Sequence, residues 1–416
     1  MTRSSDGTTI SETDPQEDLA LQVELDQIVD LAAHEQGSRI PFNKPSLEGR
    51  ELLYMYRAVE GGHSASSGPF SKQVAEFLRA EIGAKAAFMT TSCTGALEMT
   101  ALLMNLGPED TVIVPSFTFV STALAFARQG VKLAFADIEP ETLGIDPDSV
   151  AELLDDSVRA VVPVHYAGVA CDVDGLQRVL DGTGREITVV EDNAHGLFAR
   201  HKDRPLGSFG RFSCLSFHET KNFVCGEGGA LLVNDERDVA RAHVLYEKGT
   251  NRQAFQMGLV DKYSWVDVGS SFGMSDILAA YLAAQLEART QVLAKRRRVF
   301  DRYEQLLAPH AAEHGYTTPR IPADRDQSYH MFYVLLPDRE TRDRVLKSMN
   351  EQDVQATFHY VPLHSAAGAK RFRVSKNECP VTDDISDRLL RLPFYNSLTD
   401  EQLVRVAETV LTTVGS

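Results

Sequence analysis

Short apolar segments alternate with longer segments of helical periodicity from Ile40 to about residue 285. Short apolar runs between turn residues fit buried strands, whereas apolar residues that recur every three to four positions fit helices. Regular alternation of the two predicts an α/β fold, with a largely parallel sheet covered by helices on both faces. The predicted strands cover residues 86–90, 111–114, 132–136, 160–164, 188–191, 212–217 and 230–233.

The pattern changes after an Ala- and Leu-rich helix predicted at 275–288. The charged run Lys-Arg-Arg-Arg at 295–298 follows, and we interpret it as a solvated helix face. A strand at 329–336, a helix, a strand at 354–360 and a helix from Thr399 then make a smaller α/β unit. Because 416 residues exceed one compact core, the sequence predicts a large domain at 40–288 and a small C-terminal domain at 289–416.

Residues 1–39 are predicted to be an acidic N-terminal extension. Nine acidic residues and Arg3 precede Arg39, so this segment carries −8 of the net charge of −17. Apolar residues from Leu19 onward predict an amphipathic helix that ends near Gly37. The remaining charge is ordinary for the length of the chain, and no basic patch favours nucleic acid as a partner.

The chain has five cysteines, an odd number, and none of them are in CxxC spacing. This favours free thiols in a reducing compartment over a disulfide framework, so we expect a cytoplasmic protein. The first residues lack the apolar core of a signal peptide, and no apolar run has the length of a membrane span. The sequence therefore predicts no membrane partner.

Lys221 lies in a polar loop directly after the predicted strand 212–217 and before the glycine-rich turn 226–229. Open α/β sheets bind their ligands at this end of the strands. A lysine amine that is partly desolvated there can condense with an aldehyde, because burial lowers its pKa. An isolated loop lysine is most often a solvated charge, so Lys221 alone does not establish a site.

Asp192 is the second candidate, because it directly follows the predicted strand 188–191. Pyridoxal phosphate chemistry requires a lysine at the cofactor aldehyde and a carboxylate at its ring nitrogen. A single aspartate after a strand is more often a turn or helix-cap residue. The pairing of Asp192 with Lys221 at neighbouring strand ends is what predicts a pyridoxal phosphate site.

Small hydroxyl residues mark a candidate phosphate site in the segment Thr-Ser-Cys-Thr-Gly at 91–95, between the strand 86–90 and a helix predicted at 96–106. A helix start offers free amides and a positive dipole end to an anion, although ordinary capping by Ser92 or Thr94 explains such residues when they stand alone. Ser216 adds a hydroxyl from the strand before Lys221. The two features converge on one phosphate.

Two aromatic residues, Phe119 and Tyr166, follow further predicted strands. Aromatic residues at such positions usually belong to the core, but they can also flank a flat cofactor. The residues alone do not choose between these two roles.

Three other motifs do not support a site. Residues 218–222 (His-Glu-Thr-Lys-Asn) depart from the zinc motif HExxH at the last position. His359 and His364 are separated by a proline, which prevents a shared helical face and argues against a metal pair. No G-x-G-x-x-G segment opens the first strand–helix unit, so a dinucleotide site lacks its main support. We therefore predict no metal site.

Four segments together resemble the DegT/StrS-type sugar aminotransferases, which are fold-type-I pyridoxal phosphate enzymes. They are 115–122 (Pro-Ser-Phe-Thr-Phe-Val-Ser-Thr), 162–168 (Val-Pro-Val-His-Tyr-Ala-Gly), 191–196 (Glu-Asp-Asn-Ala-His-Gly) and 216–222 (Ser-Phe-His-Glu-Thr-Lys-Asn). The resemblance extends from about Ile40 to the C-terminus. It implies a fold-type-I architecture and transfer of an amino group to a nucleotide-linked ketosugar.

The resemblance also implies a role for each matching residue. Lys221 would form the Schiff base with the cofactor, Asp192 would bind the ring nitrogen, and His195 would lie near the ring hydroxyl. The other implied cofactor contacts are Phe119 on the ring face and Cys93, Thr94, Gly95 and Ser216 at the phosphate. Family members often place an asparagine of the neighbouring subunit on that phosphate, where this chain has Ser271, and Asn193 replaces a common alanine.

Three further segments, at 247–252, 261–265 and 359–364, are most similar to the branch of the family that aminates dTDP-4-keto-6-deoxy-D-glucose, as in enterobacterial common antigen synthesis. This implies a dTDP-4-amino-4,6-dideoxyhexose as the product, glutamate as the amino donor with 2-oxoglutarate released, and a homodimer with shared active sites. The implied contacts of the nucleotide sugar are Tyr166, Lys248, Asn251, Arg252, Tyr263 and His359.

Two other functions stay open at this point. Sugar dehydratases of the same fold carry histidine at the lysine position, so Lys221 argues against that activity. A regulator that binds pyridoxal phosphate without turnover is the other alternative, and the sequence shows no DNA-binding helix pair that would support it. The sequence does not determine the configuration of the product at C4, or whether the pathway makes an antibiotic sugar or a surface polysaccharide.

Overall fold

A computed structural model describes residues 21–23 and 39–415 of the chain. Most of the helix predicted from Leu19 to about Gly37 lies outside these residues. The strands are β1 (Ala86–Thr90), β2 (Thr111–Pro115), β3 (Lys132–Ala136), β4 (Val158–Val161), β5 (Thr188–Asp192), β6 (Arg200–His201), β7 (Arg204–Pro205), β8 (Phe212–Ser216), β9 (Gly229–Val233), β10 (Arg325–Asp326), β11 (Tyr333–Leu335), β12 (Thr357–Phe358) and β13 (Leu389–Arg391).

Helices fill most of the chain between the strands. They are α1 (Glu51–Glu60), α2 (Pro69–Ile82), α3 (Cys93–Leu103), α4 (Val120–Ala127), α5 (Pro147–Leu153), α6 (Val173–Asp181), α7 (Glu236–Tyr246), α8 (Arg252–Gln256), α9 (Asp276–Glu287), α10 (Arg289–Leu307), α11 (Ala311–His314), α12 (Arg339–Glu351), α13 (Pro380–Arg388) and α14 (Asp400–Val414). No helix among the described residues is long and apolar enough to cross a lipid bilayer.

The main sheet has seven strands in the order β1-β9-β8-β5-β4-β2-β3. Strand β9 runs antiparallel to both of its neighbours, and the other six strands run in one direction. The predicted, mostly parallel sheet is therefore confirmed. Its consequence for function is that the carboxyl ends of β1, β2, β4, β5 and β8 meet at one edge, where ligands of open α/β sheets bind.

Both faces of this sheet are buried, which explains why its strands are almost continuously apolar. Along β8, Phe212 and Cys214 pack on one face with residues of α3 and α4. Leu215, which points the other way, packs on the opposite face with α2 and α9. The two-residue period of a strand thus divides one apolar run between two cores.

The C-terminal residues build a second, smaller sheet in the order β11-β13-β12, with all neighbours antiparallel. Its core combines residues of α10, α12 and α14 with Ile40, which pairs with Val354. Ile40, near the start of the described segment 39–415, therefore belongs to the core of this small unit. The boundaries of the two domains, near residues 40 and 288, remain predictions.

Several predicted elements differ from the structure in length. Strand β4 ends at Val161 rather than 164, because Pro163 has no N–H group for the ladder. The strands predicted at 329–336 and 354–360 are reduced to β11 and β12, and the helix predicted at 96–106 begins at Cys93.

The interpretation of 295–298 as a solvated helix face is wrong for Arg296. This side chain on α10 is 3% exposed, and it donates hydrogen bonds to the carbonyl oxygens of Tyr329 at 2.9 Å and His330 at 2.6 Å. It also lies over the ring of Phe394. Arg296 therefore anchors the segment that carries His330 into the site described next.

Candidate active site

A cavity of about 580 Å³ lies at the carboxyl ends of the parallel strands. Loops after β1, β2, β5 and β8 form one wall, and the small C-terminal unit contributes Thr357, His359, Tyr360 and Arg391 to the other. The cavity brings together seven of the nine predicted cofactor contacts. They are Cys93, Thr94, Phe119, Asp192, His195, Ser216 and Lys221.

Lys221 follows β8 in a tight turn that is closed by a hydrogen bond of 2.9 Å from its amide to the carbonyl oxygen of His218. Burial in the cavity wall lowers the pKa of its amine to about 8. The charge of Arg391 lowers this pKa further, while Cys93 and Asp192 oppose the shift. The unprotonated fraction of the Lys221 amine near neutral pH is therefore much larger than that of a free lysine, and the unprotonated amine is the form that attacks an aldehyde.

Asp192 ends β5 and is almost fully buried. Burial raises the pKa of its carboxyl group, but hydrogen bonds from Thr122 Oγ1 at 2.7 Å and from the amide of Ala194 at 3.2 Å counteract this, as does the charge of Lys221. The neighbouring Asn193 side chain is buried and packs directly against Gly196. The carboxylate is thus held in place for a cationic partner in the cavity.

His195 stacks on His330, with ring centroids 4.1 Å apart and an interplanar angle of 17°. His330 Nδ1 lies 2.8 Å from Asn222 Oδ1, and Asn222 Nδ2 donates to the carbonyl oxygen of Ser328. Burial lowers the pKa of both histidines, and Lys221 and Arg391 lower both pKa values further. Both rings are therefore neutral, and a neutral imidazole can accept or donate one hydrogen bond without adding charge.

The start of α3 provides the candidate phosphate site. Ser92 caps the helix by accepting from the amide of Gly95 at 3.0 Å, and Gly95 is not among the residues that line the cavity. The first-turn amides of Cys93 and Thr94 have no acceptor within the helix and remain for a ligand. On the neighbouring strand β9, a Cβ at Gly229 would lie 2.3 Å from the carbonyl carbon of Ser92. Only glycine at this position lets β9 lie so close to the start of α3.

The small unit adds a hydrogen-bonded group that the sequence did not reveal as such. Arg391 Nη1 lies 2.6 Å from His359 Nε2, and His359 Nδ1 lies 3.2 Å from the hydroxyl of Tyr166. Tyr166 is fully buried behind His359, whereas His359 and Arg391 line the cavity. Of the six predicted substrate contacts, His359 alone reaches the cavity among the described residues.

The remaining predicted contacts lie elsewhere on the chain. Lys248, Arg252 and Tyr263 are exposed, and Arg252 pairs with Glu247 at 3.5 Å. The side chain of Asn251 is used within its own loop, where it bonds the carbonyl oxygen of Lys262 and the amide of Ser264. Ser271 is exposed and pairs with Glu247. None of these five predicted contacts (Lys248, Asn251, Arg252, Tyr263 and Ser271) reaches the cavity of its own chain.

Sequence reasoning missed Thr122, His330 and Arg391. Thr122 ends the segment 115–122, three residues after Phe119, and a threonine at such a position gives no sequence signal of a role. Arg391 had a clearer signal, because it is the one charge within the apolar run Leu389–Leu392. No sequence signal pointed to His330, because its position in the site depends on a tertiary contact with Asn222.

The donor set of the cavity fits pyridoxal 5'-phosphate. It contains an amine of lowered pKa at Lys221, a buried carboxylate at Asp192, and free amides with nearby hydroxyls at the start of α3. The exposed ring of Phe119 borders the same space. These are the groups that the aldehyde, ring nitrogen, phosphate and ring face of this cofactor require.

The model of the DegT/DnrJ/EryC1/StrS aminotransferase family matches residues 45–411. The spore coat polysaccharide biosynthesis protein SpsC of Bacillus subtilis (strain 168) is 30% identical over 379 residues, which cover 89% of this chain and 96% of SpsC. The aminotransferase TlmJ from Streptoalloteichus hindustanus has a similar structure, with a TM-score of 0.82 and 27% identity over 90% of this chain and 99% of TlmJ.

A third similar protein is DesI, whose structure was solved in the presence of its TDP-sugar product. It has a TM-score of 0.81 and 27% identity over 91% of this chain and 94% of its own. These similarities extend over nearly the whole chain. The protein belongs to the DegT/DnrJ/EryC1/StrS aminotransferase family and is a pyridoxal 5'-phosphate-dependent aminotransferase.

Proposed function

We propose that this enzyme transfers an amino group from glutamate to C4 of dTDP-4-keto-6-deoxy-D-glucose, giving a dTDP-4-amino-4,6-dideoxyhexose. The observation that carries the proposal is the pairing of Lys221, an amine of lowered pKa, with the buried carboxylate of Asp192 in one cavity. Sugar chemistry is supported by the relatives, since SpsC is named for polysaccharide biosynthesis and DesI was solved with a TDP-sugar.

When bound, pyridoxal phosphate acts as an electron sink and carries the amino group between the two substrates. Asp192 would hold the ring nitrogen in its protonated form, and its orientation is maintained by Thr122. The Lys221 amine would first hold the cofactor covalently and then, once released, move a proton at its Nζ atom. The first-turn amides of α3, Thr94 and Ser216 would bind the phosphate.

We further propose that the enzyme is a homodimer in which each cavity is completed by the partner chain. The implied substrate contacts Lys248, Arg252 and Tyr263 support this, because they are exposed and lie outside the cavity of their own chain. The same region exposes large apolar side chains, including Met257, Leu259 and Trp265, which is 80% exposed. Exposed apolar patches of this kind mark interaction surfaces.

Cytoplasmic localisation is supported by the five cysteines, which are all free.

Turnover with defined substrates tests the activity. The purified holoenzyme is mixed with glutamate and dTDP-4-keto-6-deoxy-D-glucose, and formation of 2-oxoglutarate and of the aminosugar nucleotide is followed. We expect the two products in equal amounts, and proton coupling constants of the aminosugar then give the configuration at C4. A deoxygenated product without an amino group would indicate the dehydratase instead, and binding without any turnover would indicate the regulator. A matching reaction with the UDP-linked ketosugar measures the contribution of the nucleotide.

A further inference from the structure

A compact group of three potential metal ligands lies on the small C-terminal unit, apart from the candidate active site. His310, Glu313 and His314 each offer one ligand atom, and these three atoms all lie within 4.8 Å of one another. None of the three residues lines the cavity of the candidate active site. The group also lies outside residues 218–222 and 359–364, on which the expectation of no metal site rested.

The backbone places the three side chains on one face. The chain continues from α10 through the short 3-10 turn Ala308–His310 directly into α11. In helical backbone, residues three and four positions apart are neighbours, so His310 lies beside both Glu313 and His314. The order His-x-x-Glu-His at 310–314 is the reverse of the zinc motif HExxH, and in both orders the two histidines are four residues apart.

Packing restrains the ring of His314. The ring lies parallel to that of Tyr316, with centroids 6.4 Å apart and an interplanar angle of 5°. Tyr316 is itself buried, and its hydroxyl donates to the carbonyl oxygen of Leu307 at 2.5 Å. The His314 ring also lies close to Gly415 after α14, where a Cβ would be 3.2 Å from His314 Cε1. His314 therefore gives the group one ligand of restricted orientation.

The donor atoms are open to a ligand from solvent. Among the described residues, none of the three side chains takes part in a hydrogen bond or an ion pair. His310 and Glu313 are exposed, and the half-buried His314 keeps its ring nitrogens accessible to solvent. A tetrahedral ion about 2.1 Å from each donor needs the donors about 3.4 Å apart. Side-chain rotations at the surface can supply the remaining approach of at most about 1.4 Å.

The donor set selects among metal ions. Two imidazole nitrogens and one carboxylate oxygen suit Zn²⁺, whereas Ca²⁺ and Mg²⁺ prefer oxygen ligands alone. We propose that His310, Glu313 and His314 bind one Zn²⁺ ion at the surface of the small unit, with water in the fourth position. Because the three ligands converge only in the folded chain, bound Zn²⁺ should also stabilise the fold.

Calorimetric titration of the holoenzyme with Zn²⁺ tests the site. The variants His310→Gln, Glu313→Gln and His314→Gln each alter one ligand. His63→Gln is the matched control, because His63 is exposed and belongs to no such group among the residues that the structure describes. We expect one Zn²⁺ per chain to bind at this site in the wild type and the control, and any Zn²⁺ bound elsewhere should be common to all five proteins.

The affinity should fall by at least about 10- to 100-fold in His310→Gln and His314→Gln, since even the loss of a group that only supports a metal ligand costs this much. Glu313→Gln keeps an amide oxygen and should lose less. Affinity for Zn²⁺ that is unchanged in both histidine variants, no saturable Zn²⁺ binding by the wild type, or equally tight binding of Mg²⁺ would each overturn the proposal.

Thermal unfolding gives a second readout. Without added metal, His310→Gln should unfold at the temperature of the wild type and keep its transaminase activity, because His310 is exposed and lies outside the cavity. Added Zn²⁺ should raise the unfolding temperature of the wild type and of His63→Gln, and should raise that of His310→Gln less. An equal rise in all three proteins would place the stabilising ion elsewhere and refute the site.

Discussion

Thr122 Oγ1 donates a hydrogen bond of 2.7 Å to Asp192 Oδ2, joining the first turn of α4 to the end of β5. Thr118 Oγ1 lies 2.8 Å from Thr122 Oγ1. Because Thr122 uses its hydroxyl proton on the carboxylate, Thr118 must donate to Thr122. Thr118 thus donates to Thr122, and Thr122 donates to Asp192. These donors stabilise the ionised carboxylate and oppose the effect of burial, which raises the pKa of Asp192.

This relationship predicts a measurable role for Thr122 in turnover. Thr122→Val keeps the shape of the side chain but removes the donor, so turnover should fall about tenfold or more, as expected for a hydrogen bond to a charged group. Asp192→Asn should lose at least about a hundredfold, because an amide cannot keep the ring nitrogen protonated. Steady-state kinetics with cofactor-saturated protein compare the two. Thr118→Val is the control and should have a smaller effect, and normal turnover of Thr122→Val would refute the assignment.

Lys221→Ala is expected to abolish transamination while the protein stays folded. The variant should also lose the covalent link to pyridoxal phosphate, because no other lysine lines the cavity among the described residues. Borohydride reduction followed by mass spectrometry of the peptides detects that link in the wild type. Lys202→Ala, an exposed lysine paired with Asp174, serves as the control and should retain both properties. A reducible link in Lys221→Ala would place the reactive amine elsewhere.

The lowered pKa of Lys221 predicts the pH dependence of cofactor capture. Only the unprotonated amine reacts with an aldehyde, so the rate of reconstitution of the apoenzyme should rise with pH through about 8. An exposed lysine would place this rise near pH 10.4. Stopped-flow absorbance across a pH series gives the midpoint. Arg391→Gln should move the midpoint upward, since the charge of Arg391 lowers the pKa of Lys221; a midpoint near that of a free lysine in the wild type would contradict the burial argument.

The central part of the site could be predicted from the sequence because its signals are local. Lys221 and Asp192 each follow an apolar run that is long enough to define a strand, and parallel strands bring their carboxyl ends together. The glycine-rich turn before β9 and the hydroxyl residues before α3 are equally local. For these residues, knowing the strand ends was sufficient to place them in one cavity.

Arg296 and Arg391 show why the rest could not be predicted. Arg296 belongs to a run of four cations that reads as a solvated face, and it is buried only because the carbonyl oxygens of Tyr329 and His330 happen to be presented to it. Arg391 lies on a three-residue strand whose position depends on the packing of the small unit against the large one. Contacts between segments that are distant in sequence determine both positions, and local periodicity carries no information about them.

Glu191 is expected to stabilise the fold beneath the site. Its buried carboxylate accepts from His165 Nε2 at 2.9 Å and from the amides of Gly207, Phe209 and Gly210 at 2.7 to 2.8 Å. Glu191→Gln replaces one acceptor oxygen by a donor that faces these N–H groups, so the free energy of unfolding should fall by about 3 kcal/mol or more.

The matched control is Glu186→Gln. Glu186 is exposed and pairs with Arg237 at 2.8 Å, so Glu186→Gln should lower the free energy of unfolding far less than Glu191→Gln, because water screens a surface ion pair. Urea denaturation followed by circular dichroism measures both variants. Equal effects of the two substitutions would show that the network around Glu191 does not contribute as its geometry indicates.

The last prediction concerns the shared active site of the proposed homodimer. Lys221 lines the cavity of its own chain, whereas Arg252 does not, so in the proposed dimer each site combines Lys221 of one chain with Arg252 of the other. Lys221→Ala and Arg252→Ala should each be inactive alone. After subunit exchange, half of the dimers are mixed, and each mixed dimer holds one site with both residues intact, so activity should return to about a quarter of the wild type.

Exchange is verified with two differently tagged chains. If both residues acted within one chain, no mixed dimer would contain an intact site, so the absence of any recovery, or full activity of a monomer in sedimentation, would refute the shared site.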